Sequence, residues 1–139
     1  MTPAHHFSAR TPFDRDRALW GGFSIVAGRS RIYFAGDTAY APFFPEVRQR
    51  LGPIDLALLP IGAYEPRWFM RDAHMNPDDA VRAHRDLGAG VSVPIHYGTF
   101  RLTDEGFEEP LEDLTAALEA QRLSVAAFRR LDVGESAVL

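Results

Sequence analysis

Three apolar, strand-like runs in this chain each end in a side chain that can bind a metal: Thr2-Pro3-Ala4-His5-His6, Phe34-Ala35-Gly36-Asp37-Thr38 and Pro94-Ile95-His96-Tyr97-Gly98. Runs folded into one sheet bring their ends to one edge, where open α/β sheets place their ligands. The pattern therefore predicts a site of imidazole and carboxylate groups at a sheet edge. His5 and His6 are adjacent and point to opposite sides of an extended strand, so only one of them can enter a given site. Each residue also has a plainer use. Asp37 can cap the next turn through Thr38 or Ala39. His96 can be a buried histidine bonded to backbone, and His5-His6 can be a pair in solvent.

The rest of the chain predicts alternating layers. Residues 1–7 read as the end of a strand and Phe13 to Arg17 as a charged loop. Leu19 to Ala27 and Arg31 to Ala35 are rich in aromatic and β-branched residues, and the short turn Gly28-Arg29-Ser30 makes them a hairpin. Pro42 to Leu51 is a helix closed by Gly52-Pro53. Ile54 to Ile61 is apolar apart from Asp55, as in a strand covered on both faces. Gly62 to Met75 is a loop. Asn76 caps a helix that has Pro77 at its first position and Asp78 and Asp79 in its first turn, and that runs to about Leu87. Gly90 to Ile95 is a second buried strand. A helix from Glu109 or Pro110 to near Arg122 keeps Leu111, Leu114, Leu118 and Leu123 on its apolar side. The tail, Ala127 to Leu139, holds one or two short strands.

This order predicts an α/β class of α+β layers, with helices packed on one sheet. The 139 residues suffice for a single domain, 1–139, with one modest core. Leu56, Leu58 and Ile61 make one side of the sheet apolar, while Ala57, Leu59 and Ile95 make the other apolar too. The sheet then requires a second layer that the sequence does not encode.

Composition narrows the chemistry. Hydrophobic residues at 46% and charged residues at 24% belong to a globular chain rather than a disordered one. A net charge of −4 excludes the electrostatic footprint of a nucleic-acid binder. There is no cysteine, so thiolate metal sites, disulfides and a cysteine nucleophile are excluded. A metal must be held by His and carboxylate, which suits zinc, iron or manganese. The lack of disulfides and of a signal-peptide pattern leads to an expected cytoplasmic location, and no run reaches the roughly 18 apolar residues of a membrane span.

Two further regions hold candidate groups. His74 stands just before the cap Asn76, either as an orienting or acid group or as a loop histidine without a role. His84 lies mid-helix in line with Ala80 and Leu87 and is read as a packing residue. The string Ala63-Tyr64-Glu65-Pro66-Arg67-Trp68-Phe69-Met70-Arg71 combines apolar contact from Tyr64, Trp68, Phe69 and Met70 with two guanidinium groups. Arg67 and Arg71 can hold a phosphate or carboxylate in bidentate fashion. The same string can equally be a plug that packs the loop onto the sheet. There is no phosphate-cradling Gly-rich loop and no serine nucleophile elbow.

Taken together, these segments resemble the metallo-β-lactamase fold, in the branch of N-acylphosphatidylethanolamine-hydrolysing phospholipase D and its bacterial relatives. The resemblance rests on Pro3-Ala4-His5-His6-Phe7-Ser8-Ala9-Arg10, Leu19-Trp20-Gly21, Phe34-Ala35-Gly36-Asp37-Thr38 and Pro60-Ile61-Gly62 followed by the string through Met70. It continues through His74, Pro77, Ala80-Val81, His96-Tyr97-Gly98-Thr99-Phe100 and Gly134-Glu135-Ser136. It implies one ββα-type half, the C-terminal one, of an αββα sandwich. It also implies His6 as a ligand of a first zinc, Asp37 as a bridge between two, and His96 as a ligand of the second. His74 would assist substrate or leaving group, and Tyr64, Arg67, Trp68 and Tyr97 would contact substrate. The family's His-x-His-x-Asp-His segment, which brings four more ligands, has no counterpart here.

The resemblance implies hydrolysis by metal-activated water with one or two zinc ions, or manganese or iron in their place. The substrate expected first is a lipid-like phosphodiester, with some peripheral contact to a membrane, and a lactone second. The other expectation is a non-catalytic half-domain, interaction module or truncated fragment. In either case a homodimer or a complementing N-terminal half is the expected partner.

Overall fold

A computed structural model describes residues 1–138. The strands are β1 (Thr2–Pro3), β2 (Gly21–Ala27), β3 (Ser30–Phe34), β4 (Leu56–Pro60) and β5 (Val91–Ile95), and they form one sheet in the order β1-β2-β3-β4-β5. The first two pairings are antiparallel and the last two parallel. Gly28, at a φ of 62°, closes the β2–β3 hairpin between the paired residues Ala27 and Ser30. The parallel crossovers carry helices α1 (Phe43–Leu51), α2 (Arg67–Met70) and α3 (Pro77–Leu87). Helix α4 (Glu109–Ala120) and a 3-10 turn at Val125–Ala127 follow β5.

Local chemistry explains α3 well. The Asn76 side chain accepts the Asp79 N–H, Pro77 fills the first position, and Gly88 ends the helix in the left-handed region. The buried stripe Ala80, Val81, Ala83, His84 and Leu87 then packs on the sheet. His84 is a packing residue, as expected, with its Nδ1 2.9 Å from the Ser92 hydroxyl of β5.

Every helix contribution to the core lies on one face of the sheet. Tyr33, Ala57 and Leu59 are fully buried there, against Phe44 and Val47 of α1, Val81 and Leu87 of α3, and Leu114 and Leu118 of α4. Strand alternation sends the neighbouring side chains the other way. Register aligns Phe23 with Phe34, Ile25 with Ile32, Ile32 with Leu56, Phe34 with Leu58, Leu56 with Val91, and Leu58 with Val93. This second face is apolar and, among the described residues, carries no α-helix; at its β4–β5 end Leu56, Val91 and Val93 share an open cavity with Val125 and Ala126 of the 3-10 turn and Leu131 of the tail. Phe23, Ile25 and Phe34 are 53%, 55% and 38% exposed on it.

Three expectations need correction. The tail 127–138 contains no strand among the described residues. It touches β5 through a single bridge, Ser92 to Phe128, because Arg129-Arg130 interrupts the apolar pattern and Gly134 turns the chain at a φ of 87°. The loop after β4 contains the one-turn helix α2, set up by Pro66 just before it. Finally, Ile61 and Ile95 exchange sides. Ile61 follows Ala57 and Leu59 into the covered core, and Ile95 follows Val91 and Val93, because the period of two fixes the parity.

Candidate metal centre

The site is built where β1, β3, β4 and β5 end. Beyond β1 the chain stays extended, and the His5 and Ala39 backbones pair: the Ala39 N–H donates to the His5 carbonyl at 2.9 Å. Thr38, fully buried, organises the junction. Its hydroxyl accepts the His5 N–H at 2.8 Å and donates to the Ala39 carbonyl at 2.8 Å. Its own carbonyl accepts the Met75 N–H at 3.0 Å. One residue thus ties the segment carrying His6 and the segment carrying His74 to the end of β3, where Asp37 stands. The Trp20 indole N–H donates to the Asp37 carbonyl at 2.9 Å, and its ring stacks on His6 at 4.7 Å between centroids.

Three imidazoles and one carboxylate meet there. The His6 and His74 rings are edge to face at 5.1 Å, and His74 and His96 are stacked at 5.3 Å. His96 Nε2 lies 3.5 Å from Asp37 Oδ1. His5 is exposed and pairs only through its backbone, so of the two adjacent histidines it is His6 that joins the cluster. His6 Nδ1 lies 2.6 Å from the Phe7 carbonyl. A carbonyl only accepts, so Nδ1 is the donor in this contact, and Nε2 is the nitrogen left to face a ligand. Burial, and then the neighbouring His96 and His6, lower the pKa of His74 to about 4, so its ring is neutral at neutral pH.

The backbone pays strict attention to this corner. His96 itself adopts a φ of 62°, which is rare for a residue with a side chain. Gly62 passes so close that a Cβ there would lie 2.1 Å from the His96 carbonyl oxygen.

The four expected substrate contacts are placed differently from one another. Trp68 is 80% exposed and lines an open cavity of about 730 Å³ with His6, Phe7, Arg15, Phe69 and His74. Tyr97 is half-buried on the other side of His96. Tyr64 is buried and donates to Asp113 of α4 at 2.6 Å, and both burial and that carboxylate raise its pKa. Arg67 donates to the His74 carbonyl at 2.8 Å and pairs with Asp79, so both its terminal nitrogens are engaged within the protein. Thr38, Trp20 and Asp79 take part in the site in ways that spacing did not reveal: Thr38 and Trp20 hold backbone groups, and Asp79, expected only as a first-turn acid of α3, pairs with Arg67.

Residues 1–97 match the beta-lactamase superfamily domain. The chain belongs to the metallo-β-lactamase superfamily. Over 127 residues it is 47% identical to an uncharacterized protein of Mycobacterium tuberculosis, covering 89% of this chain and 33% of that protein. Over 136 residues it is 41% identical to N-acyl-phosphatidylethanolamine-hydrolyzing phospholipase D 1 of Caenorhabditis elegans, covering 96% of this chain and 38% of the relative. Its fold matches a metallo hydrolase of the archaeon Ignicoccus hospitalis with a TM-score of 0.66 and 27% identity, over 96% of this chain and 48% of that one. The chain therefore spans less than half the length of these relatives.

The superfamily implies a metal, and the donors here fit one in kind. Imidazole and carboxylate suit zinc, iron and manganese, and the buried Nδ1 atoms of His74 and His96 have no hydrogen-bond partner. In number they make part of a site: among the described residues no three His, Cys, Asp or Glu side chains form a complete metal-holding group.

Proposed function

We propose that this chain carries one side of a zinc-dependent hydrolase site and that its substrate is a phosphodiester with lipid-like apolar groups. The observation that carries this reading is the convergence of His6, His74, His96 and Asp37 at one sheet edge, beside an open cavity. His6, Asp37 and His96 would hold metal. When bound, the metal supplies Lewis-acid polarisation and a lowered pKa of water. His74, neutral and braced through its carbonyl by Arg67, is the protein's hydrogen-bonding group for the substrate or leaving group. Trp68 and Phe7 offer apolar walls; Arg15, over the Phe7 ring and paired with Asp16, lines the same cavity together with Asp72. Tyr64, engaged with Asp113, and Tyr97 do not line this cavity. The exposed Trp68 and Phe69 rings support peripheral contact with a membrane. No helix of the described residues is long and apolar enough to cross one. The absence of cysteine supports a cytoplasmic setting.

The uncovered apolar face supports a second layer, supplied by other residues of a longer protein or by a second copy. The relatives' greater length fits the same reading. The test is hydrolysis of bis(p-nitrophenyl) phosphate with zinc added. Turnover that EDTA removes, and that Asp37→Asn and His74→Ala reduce at least ~100-fold, is the expected result. Lactone hydrolysis without phosphodiester hydrolysis would replace the substrate class. A zinc-loaded chain that cleaves neither would turn the reading to a non-catalytic half-domain.

A further inference from the structure

We propose that Glu105 is a positioning residue for His96, acting through the loop after β4. Glu105 is far from the ligand runs in sequence and carries no recognisable motif. Its carboxylate is nevertheless buried and fully engaged. Oε1 accepts the Ala63 N–H at 2.6 Å and the Thr103 hydroxyl at 2.6 Å, and Oε2 accepts the Glu65 N–H at 3.0 Å. Burial alone would raise its pKa. The hydrogen bonds from Thr103, Glu65 and Ala63 outweigh that and hold the carboxyl below its usual value, so the group stays charged.

The loop it grips is held in conformations that need support. Ala63 sits at a φ of 63° and His96 at 62°, both in the left-handed region. Between them, Gly62 lies against the His96 carbonyl, with space for no side chain. Backbone strain of this kind persists only where the surroundings over-determine it. The Ile61 N–H donates to the Ile95 carbonyl at 3.0 Å, which continues the β4–β5 ladder up to this corner. Past it the ladder stops, and Glu105 takes over as acceptor for the next free N–H groups. Releasing the carboxylate lets Ala63 and Gly62 relax, and His96 then loses the surface against which its backbone is set. Groups that orient a metal ligand from outside commonly control affinity.

The test uses the full chain with E105Q and E105D. In E105Q an amide NH2 replaces one oxygen and faces an N–H. Two readouts are taken. The first needs no metal: amide hydrogen exchange and the His96 Cα chemical shift by NMR. We expect faster exchange at Ala63 and Glu65 and a shifted His96 Cα in E105Q, with α1 and α3 keeping their protection and E105D lying between. Changes confined to residues 103–107, or spread evenly through α1 and α3, would overturn the proposal. The second readout rests on the metal-binding reading: zinc affinity by competition, expected to fall roughly ten-fold in E105Q. Unchanged affinity in E105Q would overturn it. A wild-type chain that binds no zinc would count against the metal reading alone, and the NMR result would then decide the role of Glu105.

Discussion

The two faces of the sheet are made by alternate residues of the same strands and differ in what covers them. Tyr33, Ala57 and Leu59 are fully buried under α1, α3 and α4. Their immediate neighbours Ile32, Phe34, Leu56 and Leu58 are as apolar but, among the described residues, lie under no α-helix. A monomer seldom leaves so continuous an apolar patch in water. The sequence is thus written for two buried faces, and the chain supplies the cover for one. The candidate ligands His6, Asp37 and His96 stand at the sheet edge between the two, where a second layer would meet this one.

The comparison can be broken most forcefully at the covered face. Leu59→Ala should cost about 2–5 kcal/mol in urea unfolding, whereas Ile25→Ser on the open face should change stability by less than about 0.5 kcal/mol. Equal losses would show that the open face is covered in solution. Gly62→Ala, at the edge between the faces, should cost about 1–3 kcal/mol, because its Cβ collides with the His96 carbonyl. An Ala variant with an unchanged urea midpoint would contradict that close approach. Pairing Phe23→Ser with Ile25→Ser should reduce the fluorescence of a bound apolar dye several-fold while leaving the midpoint in place. Undiminished dye binding would locate the exposed apolar surface elsewhere.

The smallest expected effect is on the covered side. Burial, and then Arg85, lower the pKa of His84 below its usual 6.5. The unfolded chain therefore takes up the proton first. His84's contribution is fully present above pH 6.5 and is lost as pH falls toward its folded value. His84→Gln should flatten the acid limb of the stability–pH curve by under about 1 kcal/mol. The slope that remains belongs to groups such as His74, which is shifted the same way.

What was legible in the sequence follows from which signals are local. The hairpin at Gly28, the Asn76-Pro77 start of α3 and the apolar runs of β4 and β5 depend on neighbouring residues, and the structure has them within a residue or two. The apolar character of both faces was also legible, although the sides of Ile61 and Ile95 were not, since their parity depends on where the strand begins. The tail misled because short apolar stretches there meet Arg129-Arg130 and Gly134 before a ladder can form. The ligand types at the strand ends could be read off directly. The groups that place them could not: Thr38, Glu105 and the Arg67–Asp79 pair act across many residues of sequence, through contacts that no spacing rule encodes.

The most direct test of the account is zinc bound per purified chain, by elemental analysis after dialysis, with His96→Ala alongside. The account predicts zinc retained by the wild-type chain and lost from the variant. Equal zinc in the two would contradict a metal centre at this sheet edge, and none in the wild type would mean that this chain's part of the site does not hold the ion alone.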